Sequence, residues 1–293
     1  MFGWTIDEQR SFDVLDAYVA AGGNFIDTAD SYGRRGPGGA GESERIIGRW
    51  IAARGNRDEL VIATKVGMTP DRGGLSAANV RSGAEASLER LGTDRIDLYY
   101  AHKDDRQTPL QETLTAFGEL IEDGLIRYAA ASNYSAERLE QALSVGGHAG
   151  CASYVALQPH YNLMERDYER ELAPVCERHG LACVPYFALA RGFLSGKYRR
   201  GGVEIDGVRA AGVKQSYANE RGYAVLDALD AIAAAHDAPV AAVSLAWLRL
   251  QPTVIAPIAS ATSTEQLSEL LASATLELSP AELARLDEAS APR

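Results

Sequence analysis

Seven short apolar runs recur along the chain, at residues 24–29 (NFIDTA), 60–65 (LVIATK), 96–102 (IDLYYAH), 126–132 (IRYAAAS), 154–161 (YVALQPHY), 181–189 (LACVPYFAL) and 254–260 (VIAPIAS). Most are apolar at consecutive rather than alternate positions, which predicts strands covered on both faces of a parallel sheet. Helical patterns lie between them. Residues 7–21 place Phe12, Leu15 and Val19 on one stripe, and 76–91 start at Ser76, a predicted N-cap. Residues 110–123 stop at Gly124, 136–145 follow Ser135, and 166–179 stop at Gly180; hydroxyl starts and glycine stops are the usual helix boundaries. The first six strands begin 27 to 36 residues apart, a repeated β-helix-β cadence.

Two architectures have that cadence, the (β/α)8 barrel and the doubly wound sheet. The count of seven strands favours the barrel, with its first strand missing. That strand belongs before Phe2-Gly3, so the expectation is either a truncated start or a barrel closed some other way. The interval from Leu189 to Val254 predicts a loop over 191–222 and helices over 223–236 and 239–250. No Pro-rich or charged linker interrupts the chain, which predicts a single domain over residues 1–293.

The chain has 293 residues, 46% hydrophobic and 24% charged, enough to bury a sizeable core. Lys and Arg total 29 against 40 Asp and Glu, a net charge of −11. An acidic chain argues against general nucleic-acid binding but leaves room for a local basic pocket. Cys151, Cys176 and Cys183 are too few and too scattered for a disulfide framework, and no Cys-x-x-Cys pair suggests a metal. They read as buried or half-buried thiols of a reducing, cytoplasmic compartment. No apolar run reaches membrane-spanning length and no signal peptide is visible, so no membrane partner is expected.

In a barrel of parallel strands the chemistry gathers at the strand carboxyl ends. Those ends carry Asp27, with Tyr32 just beyond, then Lys65, His102, Ser132-Asn133, and Gln158 with Asn162 after it. Taken singly each has a bland reading: Lys65 snorkels, Asp27 caps a turn, His102 and Tyr32 pack. Together they propose more. An ammonium beside a tyrosine hydroxyl stabilises the phenolate, a carboxylate holds the ammonium, and a histidine orients a carbonyl. Such a set delivers a proton to a developing alkoxide, and with neither nucleophile nor metal set it needs an external hydride donor.

The same residues lie in segments that resemble the aldo-keto reductase family. These are Phe25-Ile26-Asp27-Thr28-Ala29 with Tyr32-Gly33, Gly41-Glu42-Ser43-Glu44, Ala63-Thr64-Lys65, Leu88 through Leu98, and His102. Gly124-x-Ile126-Arg127, Ser132-Asn133-Tyr134, Gln158-x-x-Tyr161-Asn162 and the run from Leu189 to Tyr198 continue the likeness. The last run resembles the bacterial branch related to potassium-channel β-subunits. The resemblance implies an NADP-dependent carbonyl reductase with Tyr32 as general acid, Lys65 and Asp27 behind it, and His102 orienting the substrate. It implies that Ser132, Asn133 and Gln158 hold the nicotinamide carboxamide and that Tyr186 stacks on the ring. Leu189, Arg191, Gly192, Ser195 and Lys197 then line the pyrophosphate, and Ile258, Ser260, Thr262 and Gln266 lie around the adenosine.

Thr262 stands where the family usually has an Arg or Lys for the 2′-phosphate, so NAD is admitted beside NADP, with Lys197 or Arg199 as substitutes. Tyr186-Phe187-Ala188 replaces the usual Tyr-Ser-Pro. The expected partner is a small-molecule aldehyde or ketone, and the expected state a monomer or small homo-oligomer. Trp4 and Tyr217 are candidate stacking faces, and the loops at 33–41, 103–109 and 199–219 are candidate substrate loops. His160 is a candidate for the rim.

Three rival readings exist. A regulatory module would keep the cofactor pocket with little turnover. A metal hydrolase would use Asp27, His102, Asp104 and Asp105, but no His-x-His pair ends a strand and Lys65 would compete with the metal. The stretch from Gly36 to Gly41 matches G-x-G-x-x-G, yet no strand immediately precedes it, so it reads as a flexible loop.

Overall fold

The computed structural model describes residues 2–69, 72–148, 150–202, 205 and 210–291. The chain divides into two compact units. The first comprises Met1–Gln158, Arg178–Leu181 and Ser260–Thr264; the second comprises Pro159–Glu177, Ala182–Ala259 and Glu265–Arg293.

In the first unit α1 (Glu8–Ala20) leads to β1 (Phe25–Asp27), α2 (Glu42–Arg54) and β2 (Val61–Val66). A small antiparallel hairpin follows, β3 (Met68–Thr69) and β4 (Arg72–Gly73). Then come α3 (Ala77–Leu91), β5 (Ile96–Ala101), α4 (Leu110–Glu122), β6 (Ile126–Ser132), α5 (Ala136–Val145) and β7 (Tyr154–Gln158). The strands β1, β2, β5, β6 and β7 lie side by side in that order, and each adjacent pair is parallel. Parallel strands joined through helices are the (β/α)8 barrel pattern that the sequence predicts, and the fold class is α/β.

Strands β2 and β5 are buried almost throughout, as their unbroken apolar runs require. Successive side chains of β2 point to opposite faces of the sheet. Thr64 therefore meets Glu44 on α2, while Lys65 reaches Asp27 on the other face. Among the described residues no strand precedes β1; Phe2 and Ile6 form only an isolated bridge.

The helix boundaries follow local rules. Ser76 caps α3 by accepting from Asn79 N–H, and Ser135 caps α5 by accepting from Arg138 N–H. Gly124 and Gly180 stand beyond helix ends at φ +73° and +65°, where a side chain would strain the backbone. On α1 the buried positions are Ser11, Val14 and Leu15, so Phe12 and Val19 are only half-buried edges of the expected stripe.

The second unit contains α6 (Asp167–Glu171), α7 (Ala173–His179, whose last two residues belong to the first unit) and β8 (Ala182–Cys183). A 3-10 turn over Ala190–Ser195 precedes α8 (Ala210–Tyr217), α9 (Glu220–His236), α10 (Val240–Arg249), α11 (Thr264–Leu271, whose first residue belongs to the first unit) and α12 (Pro280–Ser290). Three departures from expectation have local causes. The helix expected over 166–179 is broken after Glu171, because Pro174 has no N–H and its ring opposes the preceding turn. Residues 254–260 form no strand: Val254 bridges Cys183 and Ile258 N–H donates to the Pro185 carbonyl, while Pro257 interrupts the ladder. The loop expected over 191–222 contains α8, and part of it, residues 203–204 and 206–209, lies outside the described residues.

Among the described residues no single helix is long and apolar enough to cross a membrane. Cys151, Cys176 and Cys183 are all buried and unbridged. The glycine-rich stretch after Tyr32 forms turns, and Gly41, at φ +78°, caps α2 from the left-handed region. No strand leads into it, so the dinucleotide fingerprint is absent there.

Candidate active site

Lys65, at the end of β2, is wholly buried. Its Nζ donates to Asp27 Oδ2 at 2.6 Å, to the Thr28 carbonyl at 2.7 Å and to the Tyr32 hydroxyl at 3.3 Å. It also lies 4.7 Å from the centroid of the Tyr32 ring. Burial pulls the ammonium toward its neutral form, but the charges and hydrogen bonds of Asp27 and Tyr32 outweigh it, and Lys65 is held above the ordinary lysine range.

Asp27 has a second partner, since Gln158 Nε2 donates to Oδ1 at 2.9 Å. The main-chain carbonyl of Gln158 accepts from Ser132 Oγ at 2.8 Å. Asn133 adopts φ +56°, a region that Asn tolerates better than most residues, and its Nδ2 donates to the His102 carbonyl at 2.8 Å. This chain of contacts joins the carboxyl ends of β1, β2, β5, β6 and β7.

His102 meets the Tyr32 ring edge-on at 5.9 Å between centroids. Burial, and then the Lys65 cation, pushes His102 down to about 3. Its Nδ1 is buried without a hydrogen-bond partner among the described residues. A neutral imidazole next to a tyrosine hydroxyl can hold a carbonyl oxygen by donating an N–H, without itself being an acid near neutral pH.

The residues Tyr32, Asp27, Lys65, His102, Ser132, Asn133 and Gln158 are thus brought together in the first unit. Ser260 and Thr262, also of that unit, lie just before α11, with Ser260 exposed and Thr262 half-buried.

The second unit holds the others. Tyr186 stacks on His160, with ring centroids 5.2 Å apart and planes inclined by 12°. His160 Nε2 is buried without a partner among the described residues, and burial holds the ring below the usual histidine range. Asn162 donates to the Phe187 carbonyl rather than joining the Asp27 group. Beyond Leu189 the chain takes left-handed conformations at Ala190, Arg191 and Gly192, with φ of +47°, +58° and +100°. The Arg191 guanidinium lies 4.9 Å over the Phe187 ring, and Ser195 Oγ donates back to the Gly192 carbonyl. Lys197 is exposed near the Gly192 turn. Arg199 pairs with Asp230 at 2.8 Å, which occupies one proposed substitute for the 2′-phosphate contact. Ile258 donates its N–H to Pro185, and Gln266 lies exposed in the first turn of α11.

Tyr217 is buried and donates to Glu165, so it packs rather than offering a stacking face; Trp4 lies under the Arg35 guanidinium. Sequence reasoning missed Asp30 and Arg90, and it left Glu44 without a role. Glu44 is fully buried, accepting from Thr64 at 2.5 Å and from Arg90 at 2.6 Å. The signal available in the sequence is the place of Glu44 in the first turn of a helix, two residues before the apolar pair Ile46-Ile47.

The sequence profile of the Aldo/keto reductase family matches residues 1–291. A norsolorinic acid reductase of Emericella nidulans is 31% identical to the chain over 97% of this chain and 72% of the relative. A probable voltage-gated potassium channel subunit beta of Oryza sativa subsp. japonica is 31% identical, over 92% and 83% respectively. An aryl-alcohol dehydrogenase of Pestalotiopsis microspora is 28% identical, over 96% and 72%. A family match across nearly the whole chain, with the strand-end residues gathered around Lys65, places this protein in the Aldo/keto reductase family, an oxidoreductase by descent.

Proposed function

We propose that the protein reduces an aldehyde or ketone to an alcohol with a nicotinamide cofactor, NADPH first and NADH second. The single observation that carries this reading is the wholly buried Lys65 ammonium bonded to both Asp27 and the Tyr32 hydroxyl. The residues present fit the cofactor. Successive left-handed residues at Ala190, Arg191 and Gly192 form a tight turn that carries Arg191, with Lys197 nearby, two exposed cations suited to a pyrophosphate. In the first unit Ser132, Asn133 and Gln158 offer donors and acceptors to a carboxamide. Leu189, Ser195 and Tyr186 flank the loop or its approach, and Ile258, Ser260, Thr262 and Gln266 remain the proposed adenosine side.

The nicotinamide, when bound, supplies the hydride. Tyr32 gives its hydroxyl proton to the substrate oxygen as charge develops there. Lys65 stabilises the phenolate left behind, Asp27 fixes Lys65 and keeps it charged, and Gln158 holds the other oxygen of Asp27. His102, neutral, donates a hydrogen bond that orients the carbonyl. The reverse reaction, alcohol oxidation, uses the same groups in the opposite sense.

The test begins with fluorescence titration of NADPH and NADH, followed by a panel of carbonyl compounds in which aryl aldehydes are included on account of the aryl-alcohol dehydrogenase relative. In Tyr32→Phe, turnover is expected to fall by about 10²- to 10⁴-fold with cofactor affinity unchanged; undiminished turnover overturns the acid assignment. The channel-subunit relatives favour a second reading, a cofactor-binding regulatory module. Tight cofactor binding without oxidation by any carbonyl would support that reading instead.

A further inference from the structure

Asp30 lies three residues after Asp27 and two before Tyr32, in the turn that leaves β1. It is buried, at 6% exposure. Its main-chain N–H donates to the Lys65 carbonyl at 3.2 Å, and its carboxyl faces the N–H groups of Ser31 and Gly67. One residue therefore fastens the turn bearing Tyr32 at two points to the strand end bearing Lys65. The Tyr32 N–H, meanwhile, donates to the Ala29 carbonyl, so the position of that turn sets the position of the phenol.

The surroundings of the Asp30 carboxyl are unusual. Its Oδ1 has no hydrogen-bond partner among the described residues. The titratable and charged groups that face it are Glu44 on α2, Arg90 on α3 and Tyr99 on β5. Glu44 already holds the guanidinium, through Arg90 Nε at 2.6 Å, and also accepts from Thr64. Two buried carboxyls thus face one cation, and the one without a cation of its own takes the proton more readily. Burial, and then Glu44, pushes Asp30 up to about 7, against the opposing pull of Arg90 and of the two N–H groups.

We propose that Asp30 is a positioning residue for proton delivery: its main-chain N–H and its carboxyl together pin the Tyr32 turn to the end of β2 and so fix the phenol on the Lys65 ammonium, and a change in the charge of that carboxyl is felt at the contact. The inference rests on the reading of Tyr32 and Lys65 as the proton-delivering pair. It assigns no contact between Asp30 and substrate or cofactor.

The experiment compares the unmodified protein with Asp30→Asn and Asp30→Ala, each carrying ¹³C-labelled tyrosine, with the Tyr32 resonance assigned from its loss in Tyr32→Phe. In the unmodified protein the Tyr32 signal should show an inflection near the Asp30 ionisation, about pH 7. Asp30→Asn, which keeps an acceptor and cannot ionise, should lose that inflection. In Asp30→Ala the ionisation of Tyr32 itself should rise by about one pH unit as the ammonium contact loosens.

In turnover assays Asp30→Ala should lose about tenfold to a hundredfold in kcat, with the Kd for NADPH within about twofold. Asp30→Asn should restore most of that loss and flatten the dependence on pH near neutrality. Identical Tyr32 titrations in all three proteins would overturn the proposal. So would an Asp30→Ala protein that loses thermal stability and NADPH affinity together with kcat, the pattern of a merely structural residue. The resonance arm needs no turnover, so absence of carbonyl reduction by the unmodified protein counts against the reductase reading and leaves the positioning result to stand or fall by itself.

Discussion

Lys65 Nζ and Asp27 Oδ2 form a 2.6 Å ion pair in which the lysine side chain is 0% exposed and the aspartate 7% exposed. Charges so far from water gain little screening and depend on each other. Asp27→Asn puts a neutral amide in place of the carboxylate and leaves the buried ammonium beside the Thr28 carbonyl and the Tyr32 hydroxyl without its counter-charge, and breaking such a pair costs about 3–5 kcal/mol. Lys65 is raised in the folded protein, so its contribution to stability is fully present below the ordinary lysine value and lost as pH rises through the folded value. The deficit of Asp27→Asn should therefore be large at pH 7 and shrink above about pH 10.4. Urea denaturation of both proteins across that range measures it; a deficit independent of pH would show that the pair is not what stabilises the site.

His102 should remain neutral throughout the range in which most histidines titrate. Its folded value of about 3 lies below the value of about 6.5 for an unfolded chain. The sign follows: below about pH 6.5 the unfolded chain takes up a proton that the folded protein refuses, so stability falls with falling pH. The ring proton shifts of His102 should be flat between pH 5 and 8. A midpoint inside that window would mean that the imidazole is more hydrated than its burial implies.

Gly192 should be replaceable only at the expense of both stability and cofactor affinity. A Cβ there would meet Lys197 at 3.6 Å, an ordinary contact, so the cost arises from its φ of +100°. Gly192→Ala is expected to lose about 1–2 kcal/mol. Gly55→Ala is the control, since Gly55 also has positive φ, +66°, with nothing within 4 Å of its Cβ. Both variants should melt earlier, but only Gly192→Ala should weaken NADPH binding in a fluorescence titration. Equal NADPH affinity in the two would remove the Gly192 turn from the proposed pyrophosphate loop.

The three thiols should be unreactive in the native protein. Burial pushes Cys183 up to about 12 and raises Cys176, in each case against a hydrogen bond from Tyr168. Cys151 is buried beside the Thr115 hydroxyl at 3.4 Å. A thiolate is the reactive form, so a disulfide reagent at pH 8 should label slowly and reach three equivalents only in denaturant. Rapid labelling of one thiol under native conditions would reveal an opening of the core around it.

The parallel strand succession and the strand-end positions of Asp27, Lys65, His102 and Gln158 are legible along the chain. These depend on backbone periodicity and local chemistry: unbroken apolar runs make covered strands, and Ser76, Ser135, Gly124 and Gly180 bound helices through contacts a few residues away. The breaks at Pro174 and Pro257 obey the same local rules, although the apolar pattern runs through both positions.

The electrostatics of the site are a product of long-range packing. Gln158 reaches Asp27 across 131 residues, and Glu44 meets Arg90 across 46. No spacing in the sequence announces that Lys65 loses all contact with water or that His102 stays neutral. Neither does it announce that Asp30 and Glu44 face a single guanidinium. Desolvation and charge pairing are set by what distant segments place around a group, so the residues of the site could be read along the chain, whereas their protonation states arise only when it folds.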